Sequence, residues 1–174
     1  MGKYRLPAID PADVEEHAGT FYPDAIKGAS EARLKKRLGD AAGLTKFGVN
    51  LTTLPPGAAS ALRHWHAEED EFIYVLEGEV TVVSDAGEQI LTPGMAAGFP
   101  AGKPDGHMFC NRAEGPAVVL EVGNRVSHDT VTYPDDDLAL VKEPGNHQYY
   151  NKAGEPLGER IAHSPRAPEP EEDG

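Results

Sequence analysis

The sequence predicts an all-β protein, a barrel or two-sheet sandwich preceded by a short irregular or helical N-terminal extension. Three observations predict it. From Phe47 to Val122 the chain runs in short stretches rich in β-branched and aromatic residues. Turn signals punctuate these stretches at Pro55-Pro56-Gly57, Glu77-Gly78, Asp85-Ala86-Gly87, Pro93-Gly94, Pro100-Ala101-Gly102 and Glu114-Gly115-Pro116. Residues 1–45 are instead broken by Pro7, Pro11, Gly19, Pro23 and Gly28, which leaves no room for a long element.

Within the extension, Ser30 to Leu38 predicts a short helix capped by Ser30 and terminated by Gly39. The basic run from Arg33 to Arg37 then reads as a solvated face, with a substrate-phosphate site as the alternative. The barrel, residues 46–140, is expected to use strands Phe47–Leu54, Ala61–His66, Glu71–Leu76, Glu79–Ser84, Glu88–Leu91, Ala96–Phe99, His107–Asn111 and Ala117–Val122. Phe72-Ile73-Tyr74-Val75-Leu76 is apolar on both faces. A second sheet covers one face, and a partner subunit or the N-terminal segment is expected to cover the other. After Val122 the pattern loosens, so residues 141–164 read as a C-terminal extension. The Pro- and acid-rich residues 165–174 read as a disordered tail, because they cannot bury enough apolar area to offset ordering.

Composition excludes several classes of function. The 174 residues carry 29 acidic against 16 basic groups, a formal charge of −13, so nucleic acids and anionic membrane surfaces are disfavoured partners. The single Cys110 cannot form an intramolecular disulfide. No secretion signal opens the chain, and no stretch approaches the roughly 20 apolar residues that span a bilayer. A cytoplasmic protein follows as the expectation.

The residues that carry chemistry lie on three of these strands. Side chains two apart on a strand share a face, so His64 and His66 point together and Trp65 and Arg63 point away. A turn after His66 brings Glu71 alongside, with Ile73 and Val75 on its face. A third imidazole comes from His107, whose alternation groups it with Phe109 and Asn111 and sends Cys110 to the opposite side. Three nitrogens and one carboxylate bind a single divalent ion with one or two positions left open, as a catalytic metal requires. Leu51, Ile73, Val75, Met95 and Phe109 are the candidate cavity walls, and Asn111 is expected to line the pocket or orient a ligand. Cys110 reads as a buried thiol and Trp65 as a packing residue, while His17, His128, His147 and His163 read as surface groups.

His64-x-His66-x4-Glu71-x6-Gly78 resembles the first signature motif of the cupin superfamily. Pro100-Ala101-Gly102, His107 and Asn111 resemble the second, with Lys103-Pro104-Asp105-Gly106 a longer turn than the family pattern. The resemblance runs from about Phe47 to Val122 and implies a double-stranded β-helix, or jelly-roll barrel. Leu38-Gly39-Asp40, Arg63-His64-Trp65-His66, Gly98-Phe99-Pro100-Ala101-Gly102 and Tyr133-Pro134-Asp135-Asp136-Asp137-Leu138 are similar to a set of bacterial single-domain cupins. Some of that set carry a sugar-phosphate isomerase label.

The function expected is a metal-dependent enzyme acting on a small polar molecule, isomerase-like or dioxygenase-like. Its ion is one of Fe, Mn, Ni, Co or Zn. The alternative is a cupin that binds a small ligand without turning it over. Lys103 is the only basic loop residue expected near the ion, which counts against a phosphorylated substrate. The two-sided apolar strands lead to the expectation of a homodimer.

Overall fold

The structure, a computed structural model, describes residues 6–22 and 26–162. The acidic tail at 165–174 and His163 lie outside the described residues. Fourteen strands carry the fold: β1 (Glu16–Ala18), β2 (Leu34–Lys36), β3 (Phe47–Leu54), β4 (Trp65–His66), β5 (Glu71–Glu77), β6 (Val80–Ser84), β7 (Gly87–Leu91), β8 (Ala96–Phe99), β9 (Met108–Cys110), β10 (Ala117–Asn124), β11 (Asp129–Tyr133), β12 (Leu138–Glu143), β13 (Asn146–Tyr150) and β14 (Pro156–Ala162).

One wall of the barrel is a six-stranded antiparallel sheet in the order β1-β2-β3-β10-β5-β8. The facing wall consists of β14-β13-β12-β11-β4 and β7-β6-β9, joined by a bridge between His64 and His107. Successive strands from β3 to β11 cross between the walls, apart from the β6–β7 hairpin, and this alternation makes the double-stranded β-helix, or jelly roll. Among the described residues the pairing does not close into a continuous ring.

Parity decides what each strand sends inward. On β5, Ile73 and Val75 are buried while Phe72, Tyr74 and Leu76 are exposed. Their partners on β10 follow suit, with Val119 beside Val75 and Glu121 beside Ile73. One end of the barrel is packed solid by Leu54, Val75, Val80, Ala117 and Val119, all 0% exposed. Each such Leu or Val contributes roughly 1.5–3 kcal/mol. Gly78, at φ 70°, permits the turn at that end, where a Cβ would strike the Pro116 carbonyl. A second cluster of Tyr22, Val131, Tyr133, Leu138 and Tyr149 packs β11 to β13 against the chain entering from the N-terminus.

Two sequence readings need correction. Ser30 to Leu38 is not one helix: a 3-10 turn covers Gly28–Ala32, β2 follows, and the one α-helix among the described residues, α1, spans only Leu38–Ala41. Ser30 is buried inside the turn, its hydroxyl donating to the Lys27 carbonyl at 2.6 Å, and Gly39 lies within α1, not after it. The segment after Val122 is also more regular than its composition suggests, since it holds four strands in a meander. β12 spans the boundary expected at residue 140.

Candidate metal centre

The three histidines and Glu71 meet. Glu71 projects inward from β5, and its Oε2 lies 3.5 Å from His64 Nε2, 3.5 Å from His66 Nε2 and 2.9 Å from His107 Nε2. His64, His66 and Glu71 offer ligand atoms all within 4.8 Å of one another, a grouping that can hold a metal ion. His107 adds the third imidazole, its ring centroid 5.1 Å from that of His64.

Local structure fixes each ring. His64 and His107 are hydrogen-bonded to each other through their backbones, at 3.0 and 2.8 Å, so the longer turn at 103–106 leaves His107 in register. Phe99 stacks flat on His107 with centroids 3.6 Å apart and planes 1° from parallel. Behind the rings, Arg63 clamps both carboxylate oxygens of Asp135 at 2.7 Å, contacts Asp85, and donates to the Gly106 carbonyl at 3.2 Å. It faces away from the imidazoles and ties together the loops that carry them.

The outer nitrogen of every ring has an acceptor. His64 Nδ1 donates to the Leu62 carbonyl at 2.7 Å, His66 Nδ1 to Asp129 Oδ2 at 2.5 Å, and His107 Nδ1 to the Asp105 carbonyl at 3.4 Å. A neutral imidazole that donates from Nδ1 keeps its lone pair on Nε2. Three such lone pairs and a carboxylate oxygen therefore converge, which repels unless a cation or protons stand between them. This donor set, with its hydrogen-bonded outer shell, fits a divalent ion of the N/O-preferring kind.

Electrostatics agree. Burial alone would raise the Glu71 pKa, but hydrogen bonds from His107 and His64 and the nearby imidazole charges hold it well below the usual carboxylate range. Burial would likewise lower that of His66; the Asp129 hydrogen bond and the charges of Glu71, Asp129 and Glu69 outweigh it and raise the value. Glu71 keeps 34% of its side-chain surface open, so the centre is not sealed.

The opening leads into a cavity of about 630 Å³. Ile73 and Phe109 line it, as the sequence suggests. Val75, Leu51, Met95 and Asn111 do not. Val75 and Asn111 belong to the packed end, where Asn111 donates to the Leu54 and Gly115 carbonyls at 2.8 Å each. Leu51 pairs with Leu120, which in turn pairs with Tyr74, and so sits on the outer face of the sheet. Met95 lies in the turn before β8, 45% exposed, with its sulfur 3.4 Å from the Thr92 amide.

The structure also corrects the reading of the basic residues. Lys103 is largely exposed and pairs with Asp105. The run at 33–37 is not a solvated face, because β2 alternates and turns Arg33, Lys35 and Arg37 toward the cavity, joined there by Arg125 and Lys142. Lys35 Nζ lies 2.7 Å from Glu121 Oε2, Lys142 contacts Glu69, and Arg125 contacts Asp40. In the same cavity, Tyr22, Tyr133 and Tyr149 cluster with ring centroids 5.7 and 5.9 Å from Tyr22, and Tyr133 lies 5.8 Å from His64. Burial pushes all three phenol pKa values up, so at neutral pH they remain O–H donors.

Asp129 and the tyrosines are absent from the sequence-derived site. Asp129 alternates with Val131 and Tyr133 on a buried strand face, and a carboxylate in an otherwise apolar inward register is the signal that marks it. His17 is exposed, as expected, at the edge of the cavity, while His147 is half-buried in its lining and is not a plain surface group. Cys110 is buried, with its sulfur 3.8 Å from the Thr81 carbonyl, as expected.

Comparison with known proteins follows this geometry. Residues 50–123 match the cupin domain family. A sugar phosphate isomerase from a cupin superfamily, from Silicibacter pomeroyi, is 44% identical with a TM-score of 0.84, over 87% of this chain and 97% of that one. A provisionally named sugar phosphate isomerase from Acidithiobacillus ferrooxidans is 30% identical with a TM-score of 0.71, over 81% and 86%. A polyketide cyclase from Streptomyces resistomycificus, 23% identical with a TM-score of 0.57 over 69% and 80%, shares the fold. No curated protein sequence matches. No helix among the described residues is long and apolar enough to cross a membrane.

Proposed function

This chain belongs to the cupin superfamily, and on that premise we propose that it is a divalent-metal-dependent isomerase of a small phosphorylated polyhydroxy compound. The observation that carries the proposal is the convergence of His64, His66 and His107 Nε2 on Glu71 Oε2 at the open floor of the cavity. The inward basic strand β2 and the names of the two relatives support the substrate class. A divalent ion at this centre supplies Lewis acidity that polarises a carbonyl and its neighbouring oxygen.

The chain supplies the rest. Leu62, Asp129 and Asp105 orient the rings, and Phe99 and Ile73 exclude water beside the centre. Glu121 points inward between Asn50 and Ile73, so its Oε2 is the atom placed to take and return a proton at the carbon next to the carbonyl. Gly123, across from Glu71, leaves the floor clear, since a Cβ there would come within 3.2 Å of the Asp70 carbonyl.

Protein purified without added metal is expected to carry one equivalent of divalent ion by elemental analysis. It is expected to interconvert an aldose and a ketose phosphate in D₂O with deuterium incorporated beside the carbonyl. The pH dependence has a definite sign. Protons compete with the ion for the imidazoles, and His66 holds its proton above the ordinary value of about 6.5. The gain in Tm on adding metal is therefore expected to grow from pH 5.5 to 8.5, and a gain flat with pH would remove His66 from the ligand set. A non-catalytic ligand-binding cupin is the second reading. It is favoured by one observation: Glu121 and Glu69 are each paired with a lysine, which weakens them as bases. Stoichiometric metal with no turnover on a panel of sugar phosphates would select it.

The cytoplasmic homodimer is also a proposal. The outer face of the six-stranded sheet carries Phe72, Tyr74 and Leu76 beside Leu120, Val122, Val49 and Leu51. The described N-terminal residues extend this sheet at its edge through β1 and β2 and do not cover it. In a chain of net charge −13 it is where two copies approach with least repulsion. Light scattering is expected to give twice the 18.6 kDa chain mass, and Tyr74→Glu to shift it toward one.

A further inference from the structure

We infer that Arg33, together with the phenols of Tyr22 and Tyr149, forms a subsite for the phosphate group of a phosphate monoester, on the cavity wall beside the candidate metal centre. The inference rests on the proposed function only in that one ligand spans both places.

Arg33 differs from Lys35, Lys142 and Arg125, and from Arg37, whose guanidinium lies over the Phe21 ring. Lys35, Lys142 and Arg125 are each neutralised by a carboxylate. Arg33 Nε donates to the Gly19 carbonyl at 3.1 Å and Nη1 to the Ser60 carbonyl. Both acceptors are neutral, and among the described residues no carboxylate pairs with the guanidinium. The strongly acidic chain thus leaves a full positive charge facing the interior. The two carbonyls fix the plane of the group, and the Nη2 hydrogens have no protein acceptor among the described residues. The group is half-buried and faces the open cavity, and a guanidinium edge held in a fixed plane suits a tetrahedral oxyanion that accepts two parallel hydrogen bonds.

The surroundings point the same way. Arg33, Tyr22 and Tyr149 line the same cavity, and the guanidinium charge acts on both phenols. Both phenols are hydrogen-bonded to Tyr133 and keep their protons at neutral pH, so an anion there meets O–H and N–H groups, with the Glu71 carboxylate the nearby negative charge that acts on Tyr22. Tyr133 joins this cluster to His64, at 5.8 Å between rings, so a small substrate reaches from the imidazoles to Arg33 within the one cavity. Arg37, at the other end of β2, lies 5.9 Å over the Phe21 ring and serves as the control.

The test is calorimetric titration of the full chain with inorganic phosphate, with metal bound and after chelation. One saturable site is expected in both states. Arg33→Gln is expected to weaken it about tenfold or more, and Tyr149→Phe several-fold, with metal content unchanged. Arg37→Gln is expected to bind within about twofold of the parent. Arg33→Lys keeps the charge and loses the planar fork, so it guards against misfolding of the glutamine variant and is expected to bind more weakly too. The inference is overturned if the Arg33 variants bind phosphate like the parent, or if phosphate binding vanishes on chelation, which would put the anion on the ion. Acetate competing as well as phosphate would overturn the phosphate assignment. A chain that holds no metal yet loses phosphate with Arg33→Gln would retain the subsite and sink the metalloenzyme.

Discussion

Glu71→Gln is expected to lower metal affinity by roughly a hundredfold or more and to bring turnover to background. Glu71 Oε2 is the one oxygen that touches all three Nε2 atoms, at 2.9 to 3.5 Å, and it is the only anion among them. The amide removes that charge and offers an N–H₂ group in its place. In the metal-free chain the carboxylate is held ionised by hydrogen bonds from His107 and His64, so the exchange also costs stability there. The variant is therefore expected to melt below the parent after chelation and to lose the whole metal-dependent gain in Tm. Elemental analysis beside paired melting curves reads both, and a variant that keeps its full equivalent of ion would show that Glu71 is not a ligand.

Asp129 is expected to produce the second-largest effect, and two substitutions separate its roles. Its Oδ2 accepts from His66 Nδ1 at 2.5 Å and its Oδ1 accepts from the Glu68 amide at 2.9 Å, with no side-chain surface exposed. Asp129→Ala leaves both donors unmet, at a cost of about 1–3 kcal/mol in stability, and weakens metal binding by about 10–100-fold. Asp129→Asn keeps the shape. If its amide nitrogen turns toward Nδ1, the imidazole must carry its proton on Nε2 and lose the lone pair that points at the centre. Metal affinity is then expected to fall as far as in Asp129→Ala with most of the stability retained. Equal metal affinity in all three proteins would mean that His66 needs no partner to be oriented.

The barrel between Phe47 and Asn124 was legible because most of its strands are short, set off by nearby Gly or Pro and committed to one parity, although the strand expected at Ala61–His66 shrinks to Trp65–His66. β3 and β8 have the bounds expected, and β5, β6, β7 and β10 differ only at their ends. The imidazoles and Glu71 were legible for the same reason, since a spacing of two on a strand is a statement about faces. Parity was misapplied where nothing anchored it. Leu51 looks like a cavity wall by composition, but Asn50 is the inward residue and Leu51 its outward neighbour. The basic run at 33–37 looks like a solvated stripe if it is helical; as a strand it sends every second cation inward. Strands β11 to β13 were hidden because their cavity-side positions include Asp129, Tyr133, His147 and Tyr149 and not a run of aliphatics. Their polar inward groups serve the site, so the composition that obscured them is a consequence of what they do.

The centre takes its carboxylate from one wall of the jelly roll and its imidazoles from the other. An ion gripped there would act as a rivet through two plates that, among the described residues, share no continuous seam of hydrogen bonds. Slow amide exchange on β5 and β4 should then rise and fall together with ion occupancy, while the packed base of the vessel keeps its own pace. Emptying the rivet hole opens the rim and leaves the bottom shut.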